Sequence, residues 1–380
     1  MYKRWSSARR RCPVRTSWPS RPSASIRCCD NDQVPNAEQG HGTHEGAYLV
    51  TERVVLLGGG TGLFTALSGL RRHDVDLSAV VTMADSGGSS GRLRDEFGTL
   101  PAGDVRRCLV ALAADDEVGK LLRQLFEYRF ERGEGLAGHS FGNLLLTALD
   151  NLTGGMDKAI REAAHLLRVK GQVLPVTLTN SHLHAVLEDG RTLEGERAID
   201  LRRESVAIER VYLDPPGDAT QEAIDAFLSA DMIVIGPGDL YTSIIPNLLV
   251  RGIREAIAKS RGRVVYVCNL MTKHGETDNY AASDFLRVVT EHLGEGLLDA
   301  ALLNYYESFP AEVLTRYLAE HSEPVSIDQR CYRYGLRLMV RPLAAAGTLV
   351  RHDPDRLADG LIELLREQST PAVSTPAEGA

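Results

Sequence analysis

Most of the side chains that could do chemistry sit in a few glycine- and hydroxyl-rich stretches. "GGGTGL" (58–63) closes a short apolar run, and "ADSGGSSGRLR" (84–94) closes a second. "GHSFGNLLL" (138–146) opens a helical pattern, and "GPGDLYTSIIPNLL" (236–249) follows another apolar run. "CNLMTKHGETDNYAASD" (268–284) follows one more and adds Asn269, Thr272, Glu276, Thr277 and Asp278. Glycine permits positive φ and close backbone approach, and a helix that starts after such a loop offers free N–H groups to an anion. An anion cradle is therefore expected at Gly59, Gly60, Thr61 and Gly62. A second is expected along Gly236–Gly238, and a third along the glycines and serines after Asp85, with Arg92 and Arg94 nearby. Asp85 and Asp104 are the candidate catalytic carboxylates; as an alternative, both could simply cap helices.

Two other chemistries fit less well. The dinucleotide fingerprint wants a glycine where Leu63 stands, and a second cradle follows Asp85 where a ribose-binding acid would end the motif, so an NAD-dependent oxidoreductase is disfavoured. "GHSFG" satisfies G-x-S-x-G, but the nucleophile elbow needs a strand before it, and "FERGEGLAG" is not one.

The elements around these loops alternate. "RVVLLG", "LSAVVTMAD", "MIVIG", "VVYVC" and "ALLNYY" read as strands, separated by helical patterns such as "LFTALSGLRRH", "FGNLLLTALDNLTG" and "IPNLLVRGIREAIAKS"; 355–367 read as a closing helix. This alternation predicts an α/β fold, a Rossmann-like doubly wound and mostly parallel sheet. Residues of about 170–215 alternate with period two around an Asp-Gly turn and predict a small antiparallel β-rich insert. The α/β domain is expected over 51–368. Residues 1–50 have no periodicity and are expected to be a disordered basic leader or sequence upstream of the true start; 369–380 are expected to be a loose tail.

Of 380 residues, 43% are hydrophobic and 25% charged, enough for a large core. Eight of the basic residues and no acid fall within the first 29 positions, so the remaining 35 basic and 51 acidic residues leave the body near −16. Such a body excludes general nucleic-acid binding. No apolar run approaches bilayer length. Among the six cysteines there is no C-x-x-C pair; Cys108 and Cys268 lie in apolar runs and are read as core thiols in a reducing compartment.

"GGGTGL", "DSGGSSGRLRDE", "PAGDVRRCLVALA", "GHSFGNLLLTAL", "GPGDLYTSIIPNLLV" and "CNLMTKHGETDNYAASD" follow one another as in the gluconeogenesis factor (YvcK-like) family. That family is related to the 2-phospho-L-lactate transferases (CofD-like), and the resemblance spans about 53–365. It implies a cytoplasmic regulatory protein for gluconeogenic growth and cell shape that binds a UDP-sugar, UDP-N-acetylglucosamine first. Cell-envelope synthesis proteins and a second copy of the chain are the partners it suggests. The transferase relatives imply the alternative, a nucleotide-dependent transferase with a deazaflavin acceptor and Mg2+. By motif, the diphosphate is expected at Gly59–Gly62 and Gly236–Gly238, with Asn143, Asn269 and Thr272 on polar parts of the ligand, and Tyr317 and Arg351 on the nucleotide sugar. Three positions depart from the family pattern: Ser86 for a second acid, Arg107 for asparagine and Asp239 for serine. The first weakens any metal site, and no residue is assigned to a metal.

Overall fold

The structure, a computed structural model, describes residues 51–305, 309–345 and 347–367. The expected leader 1–50 and tail 369–380 lie outside these residues, as do Cys12, Cys28 and Cys29. Strands are β1 (Glu52–Gly58), β2 (Val75–Val81), β3 (Gln172–Pro175), β4 (His182–Leu187), β5 (Thr192–Glu194), β6 (Ile208–Asp214), β7 (Met232–Ile235), β8 (Arg263–Val267), β9 (Ala300–Asn304) and β10 (Arg337–Arg341). Helices are α1 (Gly60–Leu70), α2 (Gly88–Phe97), α3 (Gly103–Leu112), α4 (Glu117–Glu127), α5 (Phe141–Thr153), α6 (Met156–Leu167), α7 (Glu196–Asp200), α8 (Gln221–Ser229), α9 (Ile245–Leu248), α10 (Ile253–Lys259), α11 (Ala282–Leu293), α12 (Ala311–Ala319) and α13 (Pro354–Arg366). A π-helical turn at Leu240–Ile244 leads into α9.

Seven strands form one sheet in the order β10-β9-β8-β7-β1-β2-β3, and every pairing in it is parallel. From β1 the chain winds outward through β2 and β3, then returns to β7 and winds outward the other way. The switch point therefore falls between β1 and β7, where the doubly wound topology leaves a crevice. β7 and β9 are buried along their whole length, and β1 from Val54 onward. Strands covered on both faces read as continuous apolar runs, which is why "VVLLG" and "MIVI" show no alternation.

Helix ends follow local chemistry. The Asp116 carboxylate accepts the Gly119 N–H at 2.8 Å to open α4, and the Ser140 hydroxyl accepts that of Asn143 at 3.3 Å to open α5. Gly154 ends α5 at φ +73.

The small antiparallel sheet is β5-β4-β6. It is narrower than the period-two pattern predicts: "VLP" belongs to β3, which pairs parallel with β2 as the edge of the main sheet. Period two cannot separate a short edge strand from a hairpin strand, because each has one buried face. Within the same insert, "GERAID" forms the short helix α7, not a continuation of β5. Among the described residues, no helix is long and apolar enough to cross a membrane. Cys108, Cys268 and Cys331 are free and buried, and burial pushes the Cys268 thiol well up.

Candidate functional site

The carboxyl ends of β1, β2, β7 and β8 open into a cleft with two adjoining lobes. The first, about 350 Å3, is lined by Leu270, Met271, Tyr317 and Val350 together with Asn269, Thr272, Lys273 and Glu320. The second, about 400 Å3, is lined by Gly59, Gly60, Asp85, Asp104, Arg107, Glu196, Asp200, Thr242 and Ser243. Thr61, Gly62, Gly238, Asp239 and Arg351 line both lobes and form the boundary between them.

Glycine in the first loop serves the loops themselves. A Cβ on Gly62 would collide with the carbonyl oxygen of Pro237, so Gly62 lets α1 lie against the Gly236–Gly238 turn. A Cβ on Gly59 would collide with the Asp104 carboxylate and come within 2.6 Å of Thr82. Gly60, at φ +65, is the one in this loop whose added Cβ would meet nothing closer than 3.9 Å. Its N–H is already engaged, because Asp104 accepts it from the first turn of α3. The "anion cradle" at α1 therefore carries a protein carboxylate over its first free donor.

The expected third cradle takes a different form. "GSSGRLRDEF" is helix α2, and of the stretch 84–94 only Asp85 reaches the cleft. Its serines bind protein: Ser86 Oγ accepts the Arg197 N–H at 3.0 Å, Ser89 Oγ meets His139 Nδ1 at 3.0 Å, and Ser90 Oγ accepts from Asn143 Nδ2 at 3.2 Å. Arg94 is buried and donates to the Ser181 carbonyl at 2.8 Å, while Arg92 donates to the Ala137 carbonyl at 3.1 Å. Donors that look free in the sequence are used to join α2 to α5 and to the insert.

Of the sequence-predicted ligand residues, Gly59, Gly60, Thr61, Gly62, Asp85, Gly238, Asn269, Thr272, Tyr317 and Arg351 come together in the cleft, with Asp104 beside them. Asn143 and Gly236 do not line it. Asn143 is buried, with its Oδ1 accepting from Arg106 Nε at 3.0 Å. Gly236 lies behind the boundary at φ +84, where a Cβ would press on Ile244 and on the Val267 carbonyl at 3.2 Å. Two residues that do line the cleft are partly committed: Asn269 Nδ2 donates to the Gly238 carbonyl at 2.9 Å, and the Thr272 hydroxyl accepts the Glu323 N–H at 2.9 Å. Tyr317 offers its ring, its hydroxyl accepting the Val350 N–H at 3.1 Å.

Lys273, Glu196 and Asp200, not singled out from the sequence, complete the site. Lys273 Nζ pairs with Asp200, with Asp239 at 2.7 Å and with the fully buried Glu276 at 2.7 Å. These three carboxylates lie close enough together to suit a metal ion, but the ammonium of Lys273 is bonded to all three. Burial works against the charge on Lys273, and the three acids outweigh it and raise its pKa. Burial pushes Glu276 up to about 7 against the pull of Lys273. Burial, then Asp85, lifts Asp104 to about 7; burial, then Asp85 and Asp200, lifts Glu196 to about 8. Glu196 and Asp200 come from α7, far along the chain from the glycine loops, and no motif marks them. Lys273 and Glu276 sit inside one quoted motif, but Asp200 and Asp239 join them only by folding.

A parallel sheet with paired glycine loops and one cleft at its switch point defines a Rossmann-like α/β protein. The family model of 2-phospho-L-lactate transferase CofD matches residues 54–344. The gluconeogenesis factor of Bacillus subtilis (strain 168) is 42% identical over 318 residues, 83% of this chain and 98% of that protein. The gluconeogenesis factor of Halalkalibacterium halodurans is 48% identical over 279 residues, 73% of this chain and 85% of that one. A crystal structure of a UPF0052-family protein from Bacillus halodurans, 42% identical, aligns with a TM-score of 0.78 over 82% of this chain and 99% of that chain. The chain belongs to the CofD/gluconeogenesis factor (UPF0052) family.

Proposed function

We propose that this protein is a nucleotide-sugar-binding regulator that carries out no turnover, with UDP-N-acetylglucosamine or a close UDP-sugar as its ligand. In this reading it acts in the cytoplasm in support of gluconeogenic growth and cell shape. The observation that carries it is the cleft's division into a partly apolar lobe and a polar lobe that share one boundary. A ligand with a flat heterocycle at one end, a hydroxyl-rich ring at the other and a charged link between them matches that division in kind. The relatives named gluconeogenesis factor support the biological role.

The test is thermal melting and calorimetry of the full chain with UDP-N-acetylglucosamine, NAD and a deazaflavin. A native-state binder at a hundredfold excess over its Kd raises stability by about 2.7 kcal/mol. The expected outcome is a shift with the UDP-sugar alone, weakened by about 1–3 kcal/mol in Arg351→Ala through loss of a charge-assisted contact. A shift with NAD and none with any UDP-sugar would remove this reading.

The CofD match and the carboxylates of the polar lobe favour a second reading, a transferase acting at a nucleotide diphosphate. Hard oxygen donors of this kind suit Mg2+, and Asp85 and Asp104 would hold it, supplying charge neutralisation at the diphosphate. Product formation from a nucleotide-activated donor in the presence of Mg2+ would establish that reading.

A further inference from the structure

The two lobes differ in charge more than a simple anion site would require. The polar lobe collects Asp85, Asp104, Glu196, Asp200 and Asp239 against Arg107 and Arg351. Lys273, just behind, offsets Asp200, Asp239 and Glu276, and Arg107, whose Nη1 donates to the Thr61 hydroxyl at 3.1 Å, works against the charge of Asp104, so Asp85 and Glu196 are the lobe's acids with no ion pair among the described residues. The first free donor of α1 goes to Asp104. A phosphate placed deep in this lobe would face carboxylates across low-dielectric walls, a juxtaposition of like charge that costs binding free energy. Hydroxyl groups meet the opposite situation. An ionised carboxylate only accepts, and it takes O–H donors in short charge-assisted bonds. The other lobe, with Leu270, Met271, Val350 and the Tyr317 ring, offers the apolar faces that a heterocycle needs.

We propose that the acidic lobe is the sugar subsite of a nucleotide-sugar cleft and that its carboxylates reject ligands ending in a free phosphate. The nucleoside then lies in the lobe of Tyr317 and Leu270. The diphosphate lies on the boundary beside Arg351 and the start of α1, and the sugar hydroxyls donate to Asp85 and Glu196. Each of these carboxylates keeps acceptor capacity: Asp85 Oδ1 takes only the Gly87 N–H at 2.8 Å, and Glu196 takes a single backbone N–H, that of Ser86. This assignment rests on the nucleotide-sugar reading above and adds to it which end of the ligand goes where. It also gives specificity a cause. UDP carries an extra negative charge on its terminal phosphate, at the point where the sugar nucleotide presents neutral hydroxyls.

The experiment is calorimetric titration of the full chain in EDTA at about pH 9, above the raised pKa of Glu196 so that both carboxylates are ionised, with UDP-N-acetylglucosamine and with UDP, on wild type and on Asp85→Asn/Glu196→Gln. Wild type is expected to hold the sugar nucleotide at least about tenfold more tightly than UDP. The double variant is expected to narrow that gap to about threefold or less, chiefly by binding UDP better. Circular dichroism melting checks that the variant folds; if it does not, Glu196→Gln alone, on the partly exposed α7, reads the same ratio. Equal affinities in wild type, or an unchanged gap in a folded variant, overturn the subsite while leaving the nucleotide-sugar reading in place. Mg2+ that tightens the sugar nucleotide by more than about tenfold in wild type and not in the variant also overturns it, because the lobe is then a cation site. Wild type that binds no UDP-sugar in either condition overturns the underlying reading instead.

Discussion

At the residue scale, the glycines and the acids of the cleft have consequences that the motifs alone do not state. Gly62→Val pushes a branched side chain into the Pro237 carbonyl, so its cost falls on the packing of α1 against the neighbouring turn and not only on ligand approach. The expected outcome is a protein destabilised by about 1–3 kcal/mol in denaturant titration, in keeping with overpacking of a tight contact. A variant as stable as wild type would show that the two loops can separate freely. Glu196 behaves differently. Its pKa is raised from 4.5 to about 8, first by burial and then by Asp85 and Asp200. The folded state therefore binds the proton more tightly than the unfolded chain does, so the stabilisation is complete below about pH 4.5 and is lost as pH rises toward 8. Asp104, raised to about 7, acts in the same direction. Melting temperature should fall across that interval, and Glu196→Gln should flatten the fall; an unchanged slope would mean that α7 moves away from Asp85 before the acid ionises.

At the scale of elements, α7 buries Ile199 in the core, and a small set of polar contacts fixes it and the turn after it beside the cleft. Asp200 pairs with Lys273, the Arg197 N–H donates to Ser86, and His274 Nε2 bonds the Arg203 carbonyl at 2.9 Å. Lys273→Met removes the cation shared by three carboxylates and leaves Glu276 buried without it. Breaking a buried pair costs about 3–5 kcal/mol, and the low end applies here because Asp200 and Asp239 remain partly open to water. Adding Glu276→Gln should recover part of that loss, measured as a double-mutant cycle in denaturant melts. The cycle also separates the quartet's two tasks, since only the Asp200 arm ties α7 to the sheet. If Lys273→Met alone costs nothing, the insert is held by its hydrogen bonds and not by the ion pair.

For the molecule as a whole, the sheet sets a gradient of stability. β1, β7, β8 and β9 are interior strands buried on both faces, whereas β10 is an edge strand with alternating exposure and β3 is a short edge. Native-state hydrogen exchange should find the slowest amides in β1 and β7–β9, with β3, β10 and the β4–β6 sheet opening at lower free energy. Ligand bound at the switch point should slow exchange in the loops after β1, β7 and β8 and in α7, elements that meet only at the cleft. Protection confined to α1 would indicate a smaller site than the two lobes describe.

Periodicity and motif order in the sequence determined the alternation of strands and helices, the parallel sheet and the loops that carry the site, because buried parallel strands and capped helices are specified locally. They also determined the family, through six motifs in order. The edge strand β10 and the helix α2 were not legible. "LRLMVR" has one buried face and polar neighbours, and "GSSGRLRDEF" looks like a loop because its glycines and serines spend their freedom on packing contacts that only the fold supplies. Tertiary structure alone decided how donors and acids were distributed. It turned Asn143, Arg94 and the serines of α2 inward, and it placed Asp104 over the first donor of α1. It also carried Glu196 and Asp200 from a distant insert to face Asp85. A carboxylate's partners are set by distance in space, and residues 85 and 196, or 200 and 273, become neighbours only when the chain has folded.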